Sequence, residues 1–146
     1  MSRKNKTKKS PKGKGSQGFN RKNSEKFLNK NRQVPGVQET DSGLQFLVLE
    51  DGDGSNPVAA NSVMVHQRIS LIDGTKIDDT YQKNEPAEFT LAEALAGYRE
   101  GLMLMRVGGR YKLFIPPNLA WGKRGAGKKI GPFATLIIDV RLLKIF

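Results

Sequence analysis

A chain of 146 residues suits one domain, since domains usually run to about 100 to 150 residues. Cysteine is absent and His66 is the single histidine, which excludes disulfides and thiolate metal sites and argues against zinc chemistry or a Ser-His-Asp triad. The formal charge of +11 is local: residues 1–33 hold 12 of the 25 basic side chains and one of the 14 acidic ones, so the remainder balances at 13 of each. A neutral body with a basic arm points to a polyanionic partner for the arm.

The N-terminal stretch MSRKNKTKKSPKGKG is basic, but no apolar core of about 7 to 15 residues follows, so it does not read as a secretory signal. No apolar run reaches membrane-spanning length, and a cytoplasmic location is expected. Residues 1–22 offer little to bury and are expected to be disordered. Residues 24–32 (SEKFLNKNR) predict a short helix capped by Ser24 and anchored by Phe27 and Leu28. Pro35 and Gly36 end it, so residues 1–33 read as an arm, 34–41 as a linker and 42–146 as the domain.

From Ser42 the pattern turns to strands. Leu44, Phe46 and Val48 alternate, and Asp51-Gly52-Asp53-Gly54 predicts a turn. Val63 to Ile72 reads as a longer strand with Val63, Val65, Ile69 and Leu71 on one face, and the polar Gln67 falls among them. Asp73-Gly74 predicts a hairpin into Lys76-Ile77-Asp78. Residues 91–105 carry helical spacing, with Leu91, Leu95, Tyr98, Leu102 and Met105 on one face. Tyr111, Leu113 and Ile115 form another strand, stopped by Pro116-Pro117, and Ala134 to Leu143 reads as a central strand. Many antiparallel strands and one helix indicate an α+β domain.

Between Pro117 and Ala134 lies a long Gly-rich loop that holds the single tryptophan, Trp121. Loops of this length in compact domains usually bind something. Within it, Gly122 to Lys129 (GKRGAGKK) nearly matches a phosphate-binding loop, but Lys129 stands where a Ser or Thr would hold magnesium. The segment follows a Pro-Pro loop rather than a parallel strand, so nucleotide chemistry is not expected.

The segments DGTKIDDTY, GYREGLMLMRVGGRYKLFIPPNLAWG and ATLIIDVRLLKI, in this order, closely resemble the FKBP-type peptidyl-prolyl isomerases over residues 42–146. The lead-in NKNRQVPGVQETDSGLQFLVLEDGDG is similar to the bacterial macrophage-infectivity-potentiator branch. A long dimerising helix precedes the domain in that branch, and only residues 24–33 could be its remnant, so a monomer is expected.

The resemblance implies a twisted antiparallel sheet of five or six strands wrapped around a short helix, with an apolar pocket between them for a proline ring. It implies no cofactor and no metal. By similarity the pocket wall comprises Gln67, Ile77, Asp78, Ala94, Leu95, Tyr98, Trp121, Ile130 and Ile138. Asp78 matches the pocket carboxylate, and Leu95 supplies the backbone N–H for a substrate carbonyl. Tyr98 stands for the family's tryptophan at the floor, and Trp121 for a tyrosine that donates to the substrate. Gln67 replaces a tyrosine, and Ile77 and Ile138 replace phenylalanines, which implies a smaller and wetter pocket.

Cations in the arm, among them Arg3, Lys4, Lys6, Lys8, Lys9, Lys12, Lys14, Arg21 and Lys22, are expected to contact RNA, with the ribosome as the leading target. Two functions stay open at this point. One is a prolyl isomerase and folding helper acting on X-Pro segments of client proteins, and the other is a non-catalytic adaptor of the same fold that binds the ribosome or another RNA–protein particle.

Overall fold

A computed structural model describes residues 16–146, so Arg3, Lys4, Lys6, Lys8, Lys9, Lys12 and Lys14 lie outside the described residues. Gln17–Asn31 form helix α1, which starts seven residues before the expected Ser24. Ser16 is the cap: its hydroxyl accepts the Phe19 N–H at 3.1 Å. Ser24 instead faces inward and is buried. Arg21 and Lys22, expected in a disordered stretch, are exposed residues of this helix.

Alone, so polar a helix of about 12–15 residues would be marginal. It forms because the rest of the molecule holds it. Asn20 Nδ2 donates to the Pro132 carbonyl at 2.9 Å, and Ser24 Oγ donates to the Phe133 carbonyl at 2.6 Å. The Phe27 ring lies 6.1 Å from that of Phe114, and Asn31 Nδ2 donates to Gln45 Oε1 at 2.8 Å.

The strands are β1 (Gln38–Glu39), β2 (Gln45–Glu50), β3 (Ser62–Leu71), β4 (Lys76–Asp79), β5 (Ala87–Thr90), β6 (Arg110–Ile115) and β7 (Leu136–Ile145). All pairings are antiparallel in the order β1-β2-β6-β7-β3-β4, with β5 also on β3. The sheet therefore has seven strands rather than five or six; the two-residue β1 is too short to leave a period. β7 is central, as its composition requires, and Leu136, Ile138, Val140 and Leu142 face the core.

On the concave face lies α3 (Ala96–Leu104), packed on β6, while α2 (Thr80–Lys83) packs on β3, where Tyr81 stacks on His66. The expected helix over 91–105 is broken. Leu91–Glu93 make one tight turn, Ala94 and Leu95 are extended, and α3 follows. Leu91 N–H donates to the Asn61 carbonyl at 3.0 Å, which ties the turn to the sheet edge. The chain must then swing across the sheet, so the helix starts afresh. No helix among the described residues is long and apolar enough to cross a membrane.

Gly97 lets α3 sit close to β6. An alanine there would overlap the Ile115 methyl and meet Leu119 Cβ at 3.0 Å. Gly97→Ala should therefore destabilise the fold by about 1–3 kcal/mol in denaturant titrations, because the core is already full.

On the opposite face Tyr81 donates to Asp139 Oδ1 at 3.1 Å, while Arg110 grips both oxygens of Asp139 at 2.9 Å. Burial and the nearby Asp139 carboxylate push the Tyr81 hydroxyl up from 10.0 to about 12. Its neutral form is favoured by folding, so the stability it contributes is complete below pH 10 and is lost as pH rises toward 12. The melting-temperature advantage of the native protein over Tyr81→Phe should narrow across that window and stay constant from pH 7 to 9.

Candidate active site

Between α3, the concave face of the sheet and the 116–135 loop lies a cleft of about 330 Å3, open to solvent. Its size sits at the lower end of ligand pockets, which run to about 300–1,000 Å3. Six of the residues named from the sequence line it: Gln67 from β3, Ala94 and Leu95 from the extended break, Tyr98 from α3, Trp121 from the loop and Ile138 from β7. The other three lie beside it. Asp78 reaches the cleft through Gln67, whereas Ile77 and Ile130 pack against the core, Ile130 bridged to Ala126.

Gln67 and Tyr98 are both buried, and their polar atoms are spent on each other. The Tyr98 hydroxyl donates to Gln67 Oε1 at 2.6 Å, Gln67 Nε2 donates to Asp78 Oδ2 at 2.8 Å, and Lys83 Nζ donates to Asp78 Oδ1 at 3.0 Å. A carboxylate can only accept, so the amide must turn its nitrogen to Asp78 and its oxygen to Tyr98. The amide therefore does not wet the cleft.

Burial pushes the Tyr98 hydroxyl well above its ordinary value, helped by Tyr81 and Asp78 nearby, so it stays a donor. Burial works to raise Asp78, but hydrogen bonds from Gln67 and Lys83 outweigh it and hold the carboxyl below the usual range.

Four further residues line the cleft that the motifs did not single out: Ile69, Phe89, Glu93 and Leu136. The Phe89 ring packs on Tyr98 at 5.4 Å and 46°, which adds an aromatic to the pocket that the motifs did not promise. Its signal was weak, because the AEFT segment that carries it shows little alternation. Ile69 was legible as an inward strand position but not as a cleft wall, and Leu136 only as part of the central strand. Trp121 stands at the rim, 38% exposed.

His66 faces away from Gln67, stacked on Tyr81 at 5.2 Å with Nδ1 2.9 Å from the Thr80 hydroxyl. Gly122–Arg124 form one tight turn in a molecule whose sheet is wholly antiparallel, so no strand-loop-helix phosphate cradle exists there.

The cleft holds no nucleophile paired to a base. It offers apolar walls and, beside Leu95, the start of α3, where the first N–H groups of a helix have no partner within it. Such a site can bind a compact apolar group and a carbonyl.

The family model described as FKBP-type peptidyl-prolyl cis-trans isomerase matches residues 54–143, and one described as the domain amino terminal to it matches residues 1–48. The chain is similar to the FKBP-type 22 kDa peptidyl-prolyl cis-trans isomerase of Escherichia coli, 46% identical over 82% of this chain and 58% of that protein. It is also similar to FkpA of Aeromonas hydrophila, 44% identical over 86% of this chain and 47% of that protein. The chain thus spans about half the length of these curated relatives. Among solved structures, FkpA of Escherichia coli superposes with a TM-score of 0.85 at 36% identity, covering 88% of this chain and 60% of that one. A peptidyl-prolyl isomerase of Pseudomonas syringae superposes at 0.83 and 29% identity, covering 90% and 97%. With the profile, the relatives and the seven-stranded sheet in agreement, the chain belongs to the FKBP-type peptidyl-prolyl cis-trans isomerase family.

Proposed function

We propose that this protein catalyses cis–trans isomerisation of X-Pro bonds in client proteins, as a monomer in the cytoplasm, and that its basic arm holds it on RNA, the ribosome in particular. The observation that carries the catalytic reading is the open apolar cleft whose one buried amide is already satisfied.

Turning a prolyl bond faces a barrier of about 18–20 kcal/mol, because the amide must lose its resonance. The planar amide is strongly polarised, whereas the twisted one is less so. Walls formed by Tyr98, Phe89, Ile69, Leu136 and Ile138 strip water from the bond and favour the twisted form. The Leu95 N–H holds a substrate carbonyl so that rotation is confined to the prolyl bond. Asp78 acts through Gln67 by fixing the amide that fixes the Tyr98 ring.

Proton-NMR exchange on a short Ala-Pro peptide should show acceleration by the native protein and a loss of at least about tenfold in Tyr98→Ala. Gln67→Leu should fold with stability lower by about 1–3 kcal/mol, because it strands the Tyr98 hydroxyl. No acceleration by the native protein would leave the non-catalytic adaptor as the function.

For the arm, charge is the support. Lys22, Lys26 and Lys30 recur every four residues along α1, all exposed, which places them about 6 Å apart along the axis. They continue the cationic run of residues 3–14, while the domain behind is neutral. Binding should come from counterion release and fall steeply with salt. Replacing Lys4, Lys6, Lys8, Lys9, Lys12 and Lys14 by Gln should flatten the salt dependence of binding to a single-stranded RNA, by about 0.7 in log–log slope for each phosphate that is no longer neutralised. Equal slopes for both proteins would reject docking through the arm.

A further inference from the structure

We infer that Ser24 of α1 is a positioning residue for the cleft, holding in place the loop that carries Trp121. The loop over 116–135 leaves β6, passes the rim of the cleft at Trp121 and returns to β7 at Leu136, another cleft residue. Ser24 bonds the returning end of this excursion directly and its outgoing part through Phe133. Thr135 Oγ1 donates to Ser24 Oγ at 2.9 Å, and Ser24 Oγ in turn donates to the Phe133 carbonyl at 2.6 Å. The Phe133 N–H then donates to the Gly122 carbonyl at 2.8 Å. Trp121 and Leu136 are thus each one residue from a group in this relay.

Further observations mark it as more than incidental packing. Phe133 has φ +55°, a left-handed conformation that a residue with a Cβ rarely keeps without support. Both of its backbone polar groups are bonded, and the Arg21 guanidinium lies over its ring at 4.3 Å. The adjacent Pro132 carbonyl is held by Asn20 at 2.9 Å. Ser24 and Thr135 are 3% and 1% exposed, so their hydroxyls are largely screened from solvent. The helix is also not fully sealed onto the loop. Open clefts of about 230 and 390 Å3 flank it, and Ser24 and Phe133 border both. The seam therefore depends on a few hydrogen bonds instead of a continuous apolar contact, which makes one hydroxyl consequential.

The catalytic consequence rests on the isomerase reading, whereas the geometric one does not. Trp121, the single tryptophan, reports the loop directly. In the full chain, Ser24→Ala should raise acrylamide quenching of Trp121 about twofold while far-UV dichroism keeps its helix signal. The same variant should raise KM for the Ala-Pro peptide roughly threefold to tenfold with little change in kcat, because a loosened wall weakens binding. Ser24→Thr keeps the hydroxyl, has space for its methyl in the flanking clefts, and should restore both readouts. Should Ser24→Ala not fold, Asn20→Ala, which frees the Pro132 carbonyl at the edge of the same seam, takes its place with the same expected direction. Quenching identical to the native protein in a folded variant would overturn the inference. Raised quenching in a protein without isomerase activity would keep the positioning role and reject the catalytic reading.

Discussion

The hydrogen bond from the Tyr98 hydroxyl to Gln67 joins the helix to the sheet at the floor of the cleft, and the rest of the site is arranged around it. Both partners are buried, so neither can be left unpaired without a desolvation cost of about 1–3 kcal/mol. The strand supplies one, the helix the other, and β4 with α2 supplies the Asp78 and Lys83 that complete the chain. Four elements are thereby held to a common register, so the apolar wall above them has a defined shape.

Gln67 and Tyr98 act as one unit. The hydroxyl comes from the helix, and an amide on the strand bridges the gap to the carboxylate. Taken singly, each position suggests a wetter cleft. Taken as a pair, they keep polar atoms facing one another and carbon facing the ligand.

How much of this could be read in advance varies with the kind of force involved. The strand over Ser62–Leu71 is held by apolar burial with period two, so its inward face was legible, Gln67 included, whereas Leu136–Ile145 is apolar on both faces in sequence and only its central place was legible. The break at Ala94 and Leu95 was not, because the spacing of Leu91, Leu95 and Tyr98 fits an unbroken helix and the tie from Leu91 to Asn61 is a long-range contact. α1 was hardest to foresee. Its inward face is Asn20, Ser24, Phe27, Leu28 and Asn31, a mixture with almost no apolar moment, held by side-chain hydrogen bonds to residues more than a hundred positions away. Phe133 in a left-handed conformation likewise leaves no trace in composition.

These polar seams explain how an open cleft can coexist with a chain whose apolar content is only 37%. A molecule with few hydrophobic side chains cannot seal every contact with carbon. Here the apolar residues are concentrated in the concave face of the sheet and the cleft, while α1 and the far face of the sheet are fastened by hydrogen bonds and ion pairs such as Arg110–Asp139. Directional bonds fix positions that apolar contact alone would leave free to slide. The division leaves carbon on the walls of the cleft and gives polar atoms the task of setting its shape.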